Sequence, residues 1–143
     1  MNINDLKIPS RLIELINDGV CPSTYSDIKK QNLEPLFSEE QVKNINPEMS
    51  TIFFESPPFI SMERLKTINE NEEFWPYENV ESINLSRALL IGDFGIGSES
   101  VLILYYEEYR NEPSVWMLVW YLESGSTLNC RWTKVTDSFV EFW

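Results

Sequence analysis

Histidine is absent from this 143-residue chain. Ser-His-Asp and Cys-His catalytic sites and HExxH zinc sites therefore cannot be built from it. Cysteine is almost as scarce: Cys21 and Cys130 stand far apart and belong to no CxxC or Cys/His cluster. Zinc would have to be held by two distant thiols and carboxylates, a poor donor set, so neither a metal nor another cofactor is expected. The two thiols are expected to be reduced and buried, which suits a cytoplasmic protein. Bases are the next scarcity, with 11 Lys and Arg against 23 Asp and Glu for a net charge of −12. Phosphate backbones and anionic lipid surfaces are gripped by cations, so no nucleic acid and no membrane is expected as a partner. No apolar run approaches the roughly 20 residues of a membrane span. The N-terminal stretch MNINDLKIPSRLIELI carries charges through its apolar part and no small-residue cleavage site, which argues against a signal peptide.

Glycine is also sparse, and three of the five glycines fall close together at Gly92, Gly95 and Gly97. They punctuate a polar link between two apolar runs, Ala88–Ile91 and Val101–Tyr106. Short apolar runs bounded by Gly, Asp and Ser read as buried strands. Asp93 and Ser98 can bond their own backbone, so the link reads as a tight, ordered connection. The 43% apolar and 13% aromatic content supports a real core, and the length fits one domain.

Helices are expected before this strand pair. Asn4 or Asp5 can cap the first, and Pro9 is the better start signal, with Leu12, Ile13, Leu15 and Ile16 as its stripe and Asn17-Asp18-Gly19 as its stop. Tyr25–Leu33 reads as a second short helix. Ser38-Glu39-Glu40-Gln41 has the spacing of a capping box, with Val42 and Ile45 on one face and Pro47 beyond. Thr51–Phe54 reads as a strand stopped by Pro57-Pro58. Ser61 then caps a helix through Met62, Leu65 and Ile68, and Glu70–Glu81 reads as a loop. After the strand pair, Ser114–Tyr121 is apolar at both parities, so both of its faces should be covered or bind something. Thr127–Thr133 alternates with Leu128, Cys130 and Trp132 inward and Asn129 and Arg131 outward. Thr136 or Asp137 would cap a last short helix anchored by Phe139, Phe142 and Trp143. The sum is an α+β single domain spanning 1–143: N-terminal helices, a central mainly antiparallel sheet and a short C-terminal helix.

The candidate chemistries thin out on inspection. Gly92-x-x-Gly95-x-Gly97 is neither GxGxxG nor GxxxxGK[ST], carries Asp93 and Glu99 instead of Lys, and is followed by a strand. A phosphate there would meet repulsion rather than a helix N-terminus or a cation. The carboxylate pairs Glu72/Glu73, Glu107/Glu108 and Asp93/Glu99 could serve a glycosidase, where no histidine is needed. In so acidic a chain they read first as solvated faces. An enzyme is therefore not expected.

The acids are unevenly spread: residues 1–47 carry net −2 and residues 48–143 net −10. Trp75, Tyr77, Tyr105, Tyr106, Tyr109, Trp116, Trp120 and Tyr121 lie in the same acidic half. Most of these rings must be core. An exposed subset beside acids would make an interface that anchors with rings and selects by charge.

Several motifs along the chain resemble one family. Ile91-Gly92-Asp93-Phe94-Gly95-x-Gly97-Ser98 between two strands resembles the "IG-Asp-x-Gly-x-Gly" signature of the SUKH superfamily, the Smi/Knr-like proteins. Val135-Thr136-Asp137-Ser138-Phe139-Val140-Glu141-Phe142 resembles its closing "A-x-S-F-x-x-F" helix, with Thr136 and Asp137 where relatives carry a small residue. The opening Ile8-Pro9-x-x-Leu12-Ile13-x-Leu15-Ile16-Asn17-Asp18-Gly19 is similar to its first helix. The resemblance implies an α+β domain with no known catalysis. Bacterial members are mostly immunity proteins that neutralise a toxin, often a nuclease or deaminase, and a fungal branch regulates cell-wall synthesis. It also implies that Gly92, Asp93, Gly95, Gly97, Ser138 and Phe139 shape the fold rather than a site.

The expectation that follows is a non-enzymatic immunity protein that blocks a protein toxin with a basic active face, itself a monomer or weak dimer. Glu72, Glu73, Trp75, Tyr77, Glu78, Glu107 and Glu108 are the candidate contacts. The alternatives are an intracellular scaffold or regulatory domain like the fungal branch, and a carboxylate-based hydrolase.

Overall fold

Strand-forming runs fill the second half of the chain, and the sheet they make organises everything else. A computed structural model describes residues 2–3, 5–68, 83–95, 100–108, 112–123, 125 and 127–143. Strands β3 (Phe53–Phe54), β4 (Ala88–Asp93), β5 (Val101–Tyr105), β6 (Ser114–Glu123) and β7 (Thr127–Thr136) form one sheet in the order β3-β4-β5-β6-β7. Every neighbouring pair is antiparallel. Helices α1 (Ser10–Asn17), α2 (Tyr25–Lys30), α3 (Glu39–Ile45), α4 (Met62–Ile68) and α5 (Phe139–Phe142) accompany it, so the expected α+β domain is what the chain forms.

The sheet buries both faces, as the two-parity pattern of β6 requires. On one face α1, α3 and α5 contribute Leu12, Leu15, Val42 and Phe139 to a core with Phe54, Leu89, Ile91, Leu102, Leu104, Val115 and Met117. The other face is a smaller core in which Met62 of α4 meets Ala88, Val101, Ile103, Leu118 and Trp132. Alternate residues of one strand thus enter different cores, which is the period-2 signature of a sheet covered on both sides. In β7 the expected alternation holds for Trp132, which is buried, and for Asn129 and Arg131, which are exposed. Cys130 is half-buried rather than buried, because it belongs to the edge strand near the β6–β7 turn. Among the described residues β5 pairs with β6 only from Ser114 to Met117, so β6 and β7 continue alone as a two-stranded ribbon from Leu118–Trp132 to Glu123–Thr127.

The helix starts follow their caps. In α3 the Ser38 hydroxyl accepts from Gln41 N–H, and the Gln41 side chain accepts from Ser38 N–H at 2.7 Å, the reciprocal pair that the sequence spacing predicts. Ser61 caps α4 by accepting from Arg64 N–H at 3.0 Å. Helix α2 is shorter than expected, ending at Lys30, and starts at Thr24, whose hydroxyl accepts from Asp27 N–H.

Other expectations are corrected. Residues Asn2–Ile3 (β1) and Leu6–Lys7 (β2) form a small antiparallel hairpin instead of the head of a helix, and Asp5 takes φ 66° at its turn. Pro9 therefore stands at the N-cap of α1. The strand at Thr51–Phe54 contracts to Phe53–Phe54. Ile68 is 57% exposed, because α4 offers Met62 and Leu65 to the sheet and ends before its next apolar turn is covered. The cap of α5 is Ser138, whose hydroxyl accepts from Glu141 N–H, while Thr136 donates instead to Ser138 O at 2.8 Å. Phe139 is 1% exposed and, with Phe142 and Trp143, joins an aromatic cluster around Phe37 and Phe54. The Glu70–Glu81 loop lies outside the described residues.

Candidate functional site

Two depressions frame the functional question. The first is a cleft of about 990 Å³ between the N-terminal hairpin, the start of α4 and the end of β5. Its walls carry the carboxylates of Asp5, Glu63 and Glu108 and the cations of Lys7, Arg64 and Arg87, with the hydroxyls of Ser61, Thr67, Ser86 and Tyr106 between them. Arg87 is committed to the scaffold: its Nε donates to Tyr106 O and its Nη2 to Glu107 O at 3.4 Å. Tyr106 closes the other side, its hydroxyl donating to Lys7 O at 2.6 Å and tying the hairpin to the sheet. Burial, and then the Glu112 charge, push this hydroxyl well above the ordinary tyrosine range.

This clamp places two of the expected contact acids. Glu108 is exposed and lines the cleft. Glu107 is half-buried, and its carboxylate lies 3.6 Å from Lys134 Nζ, which also pairs with Asp137 and stands 5.4 Å above the Trp116 ring. The two neighbouring glutamates therefore differ: one faces solvent, and the other already has a cation. Glu72, Glu73, Trp75, Tyr77 and Glu78 lie outside the described residues, as does Tyr109. Of the remaining rings, Tyr106 is buried, and Tyr105, Trp116, Trp120 and Tyr121 are half-buried. Tyr105 meets Trp116 edge-on at 5.9 Å, and Trp116 Nε1 donates to Ser114 Oγ at 2.7 Å.

The second depression, about 410 Å³, sits where the glycine link leaves the sheet and faces α2. Tyr25, Ile28, Lys29 and Asn32 form one wall, and Thr51, Phe53, Asp93, Phe94 and Gly95 the other. Two glycines shape this wall. A Cβ on Gly92 would lie 2.8 Å from Phe53 O, so only glycine lets β3 approach β4 here. Gly95 has φ +112°, a backbone region that favours glycine, and Asp93 Oδ1 accepts from Gly95 N–H at 2.8 Å to close the turn. Gly97 lies outside the described residues.

The orientation of Asp93 comes from a bulge. Opposite β5, Leu90 pairs with Ile103 and Gly92 with Leu102, which leaves Ile91 as an extra residue. Before it, Leu89 and Ile91 share the larger core; after it, the core-facing parity passes to Phe94. Asp93 is turned out of that core and into the pocket, the re-aiming a bulge produces. Burial raises its carboxyl above the ordinary value, and the Gly95 N–H only partly offsets this. Glu55, two residues beyond Asp93's partner Phe53, is raised by burial and then by the Asp93 charge. Neither carboxylate has an ion-pair partner among the described residues.

Sequence reasoning passes over Glu55, Tyr25, Lys29 and Gln31. None carries a local signal, since each becomes part of this edge only through the packing of α2 beside β3. Among the described residues no group of three or more Cys, Asp and Glu could hold a metal ion, and no helix is long and apolar enough to cross a membrane. No protein-family model, curated protein or solved structure matches this chain.

Proposed function

We propose that this protein is an immunity protein of the SUKH type, cytoplasmic and without catalysis, which neutralises a nucleic-acid-targeting toxin by one-to-one association. The observation that carries this reading is the charge of −12 with no histidine, concentrated in residues 48–143. A toxin that grips phosphates must present cations, and an acidic protein can occupy that surface in the nucleic acid's place. The exposed Glu108 at the end of β5 and the turn built on Gly92, Asp93 and Gly95 support it, the first as an available acid and the second as the element on which the family resemblance rests. The capped Ser138-Phe139 pair at the closing helix supports the same resemblance.

Co-expression tests it. The C-terminal domain encoded by the neighbouring upstream gene is produced with and without this protein, and host survival is scored. Rescue together with co-purification of the two chains is the expected result. A neighbour that kills equally in the presence of this protein, or is harmless alone, contradicts the reading and directs attention to a scaffold role.

A further inference from the structure

The pocket between α2 and the glycine link combines features that select one kind of occupant. Its outer wall is Tyr25, which is 70% exposed, with Ile28 beside it; its inner wall is Phe53 and Asp93. Glu55 adds a second negative charge near Asp93. The chain's own Lys29 Nζ already rests 4.9 Å from the Tyr25 ring centroid, so a cation on this aromatic wall is compatible with the geometry. A half-buried carboxylate that has no ion-pair partner among the described residues, across a pocket from an aromatic ring, is complementary to a flat cation able to donate to the first and stack on the second. A guanidinium does both.

We propose that this pocket receives an arginine side chain of the protein partner, the guanidinium donating to Asp93 and stacking between Tyr25 and Phe53 while Lys29 swings away. The proposal rests on the toxin-binding reading, to which it adds an anchor away from the acids at the end of β5. It gives the Ile91 bulge a purpose: the bulge turns Asp93 out of the core and towards the partner.

The probe is N-acetyl-arginine methylamide, a side chain without a free carboxylate, titrated into the full-length protein and followed by amide chemical shifts. Saturable shifts at Tyr25, Phe53 and Gly95 are expected, with the isosteric citrulline derivative giving none. Asp93→Asn keeps an acceptor for Gly95 N–H, so the turn survives, and it should weaken the probe about tenfold, the loss of one charge-assisted contact. Lys29→Gln removes the resident cation and should tighten it. Affinities unchanged across the three proteins, or an equal response to citrulline, overturn the proposal. Since the probe is a small molecule, its failure is separate from that of the toxin reading. Conversely, a captured toxin that binds Asp93→Asn as tightly as wild type would remove the pocket and leave immunity standing.

Discussion

Gln31 is the residue on which the open edge of the sheet depends. It is 2% exposed, and its amide pairs with one residue of the edge strand twice: Oε1 accepts from Phe54 N–H at 2.7 Å, and Nε2 donates to Phe54 O at 2.8 Å. A side chain thus stands in for the next strand, which is why β3 can be only two residues long and still end the sheet. Gln31→Leu would leave both buried groups unsatisfied, at about 1–3 kcal/mol each. A loss of roughly 2–6 kcal/mol in chemical denaturation is expected, with the slope unchanged. Asp93 and Glu55 give a pH signature of the less common sign. Both carboxyls titrate higher in the folded protein than in the unfolded chain, so between the ordinary carboxylate values and the raised ones the folded state holds more protons. Stability then falls as pH rises through that window and stays reduced above it. Asp93→Asn should be more stable than wild type at neutral pH and no better below the window. Melting curves taken across the acid range check this, and a variant less stable at neutral pH would contradict it.

Among the elements, β4 does most to set the geometry, and it shows what a sequence can and cannot declare. The apolar runs of β4, β5 and β6, the capping box at Ser38 and the cap at Ser61 were readable, because each is written in local spacing. The β1–β2 hairpin was not: two-residue strands have no period, and their pairing rests on a positive φ at Asp5, a residue that gives no glycine signal. The bulge at Ile91 was equally hidden, since an extra residue is defined only against a partner strand. Gly92 and Gly95 could be read as turn formers, whereas the pocket that Gly95 lines depends on α2, which is far away in sequence. Glu107 and Glu108 were visible as acids, but Lys134, which separates their roles, comes from another strand. Gly92→Ala tests the close approach of β3 to β4. With its Cβ 2.8 Å from a backbone oxygen, the edge strand must move. A destabilisation of about 1–3 kcal/mol is expected, the usual range for overpacking. A neutral substitution would mean that β3 yields freely.

For the molecule as a whole, charge decides how it meets a partner. The excess of 23 acids over 11 bases leaves a field that draws a basic surface from a distance, and salt screens that field over about 8–10 Å. Among the described residues most ion pairs are close in sequence and largely exposed, such as Arg11–Glu14 and Lys30–Asp27, so these bases neutralise near neighbours. Such pairs add little stability, typically about 0–1 kcal/mol each. On the proposed reading, the excess acidity serves association more than folding. The decisive measurement is the association rate of this protein with the toxin domain recovered by co-expression, followed from low to high ionic strength for wild type and for a variant with Glu107 and Glu108 changed to lysine. A fast rate that falls steeply with salt is expected, with a variant that folds normally but associates about tenfold more slowly and with a flatter salt dependence. A rate indifferent to salt and to both charge reversals would contradict it.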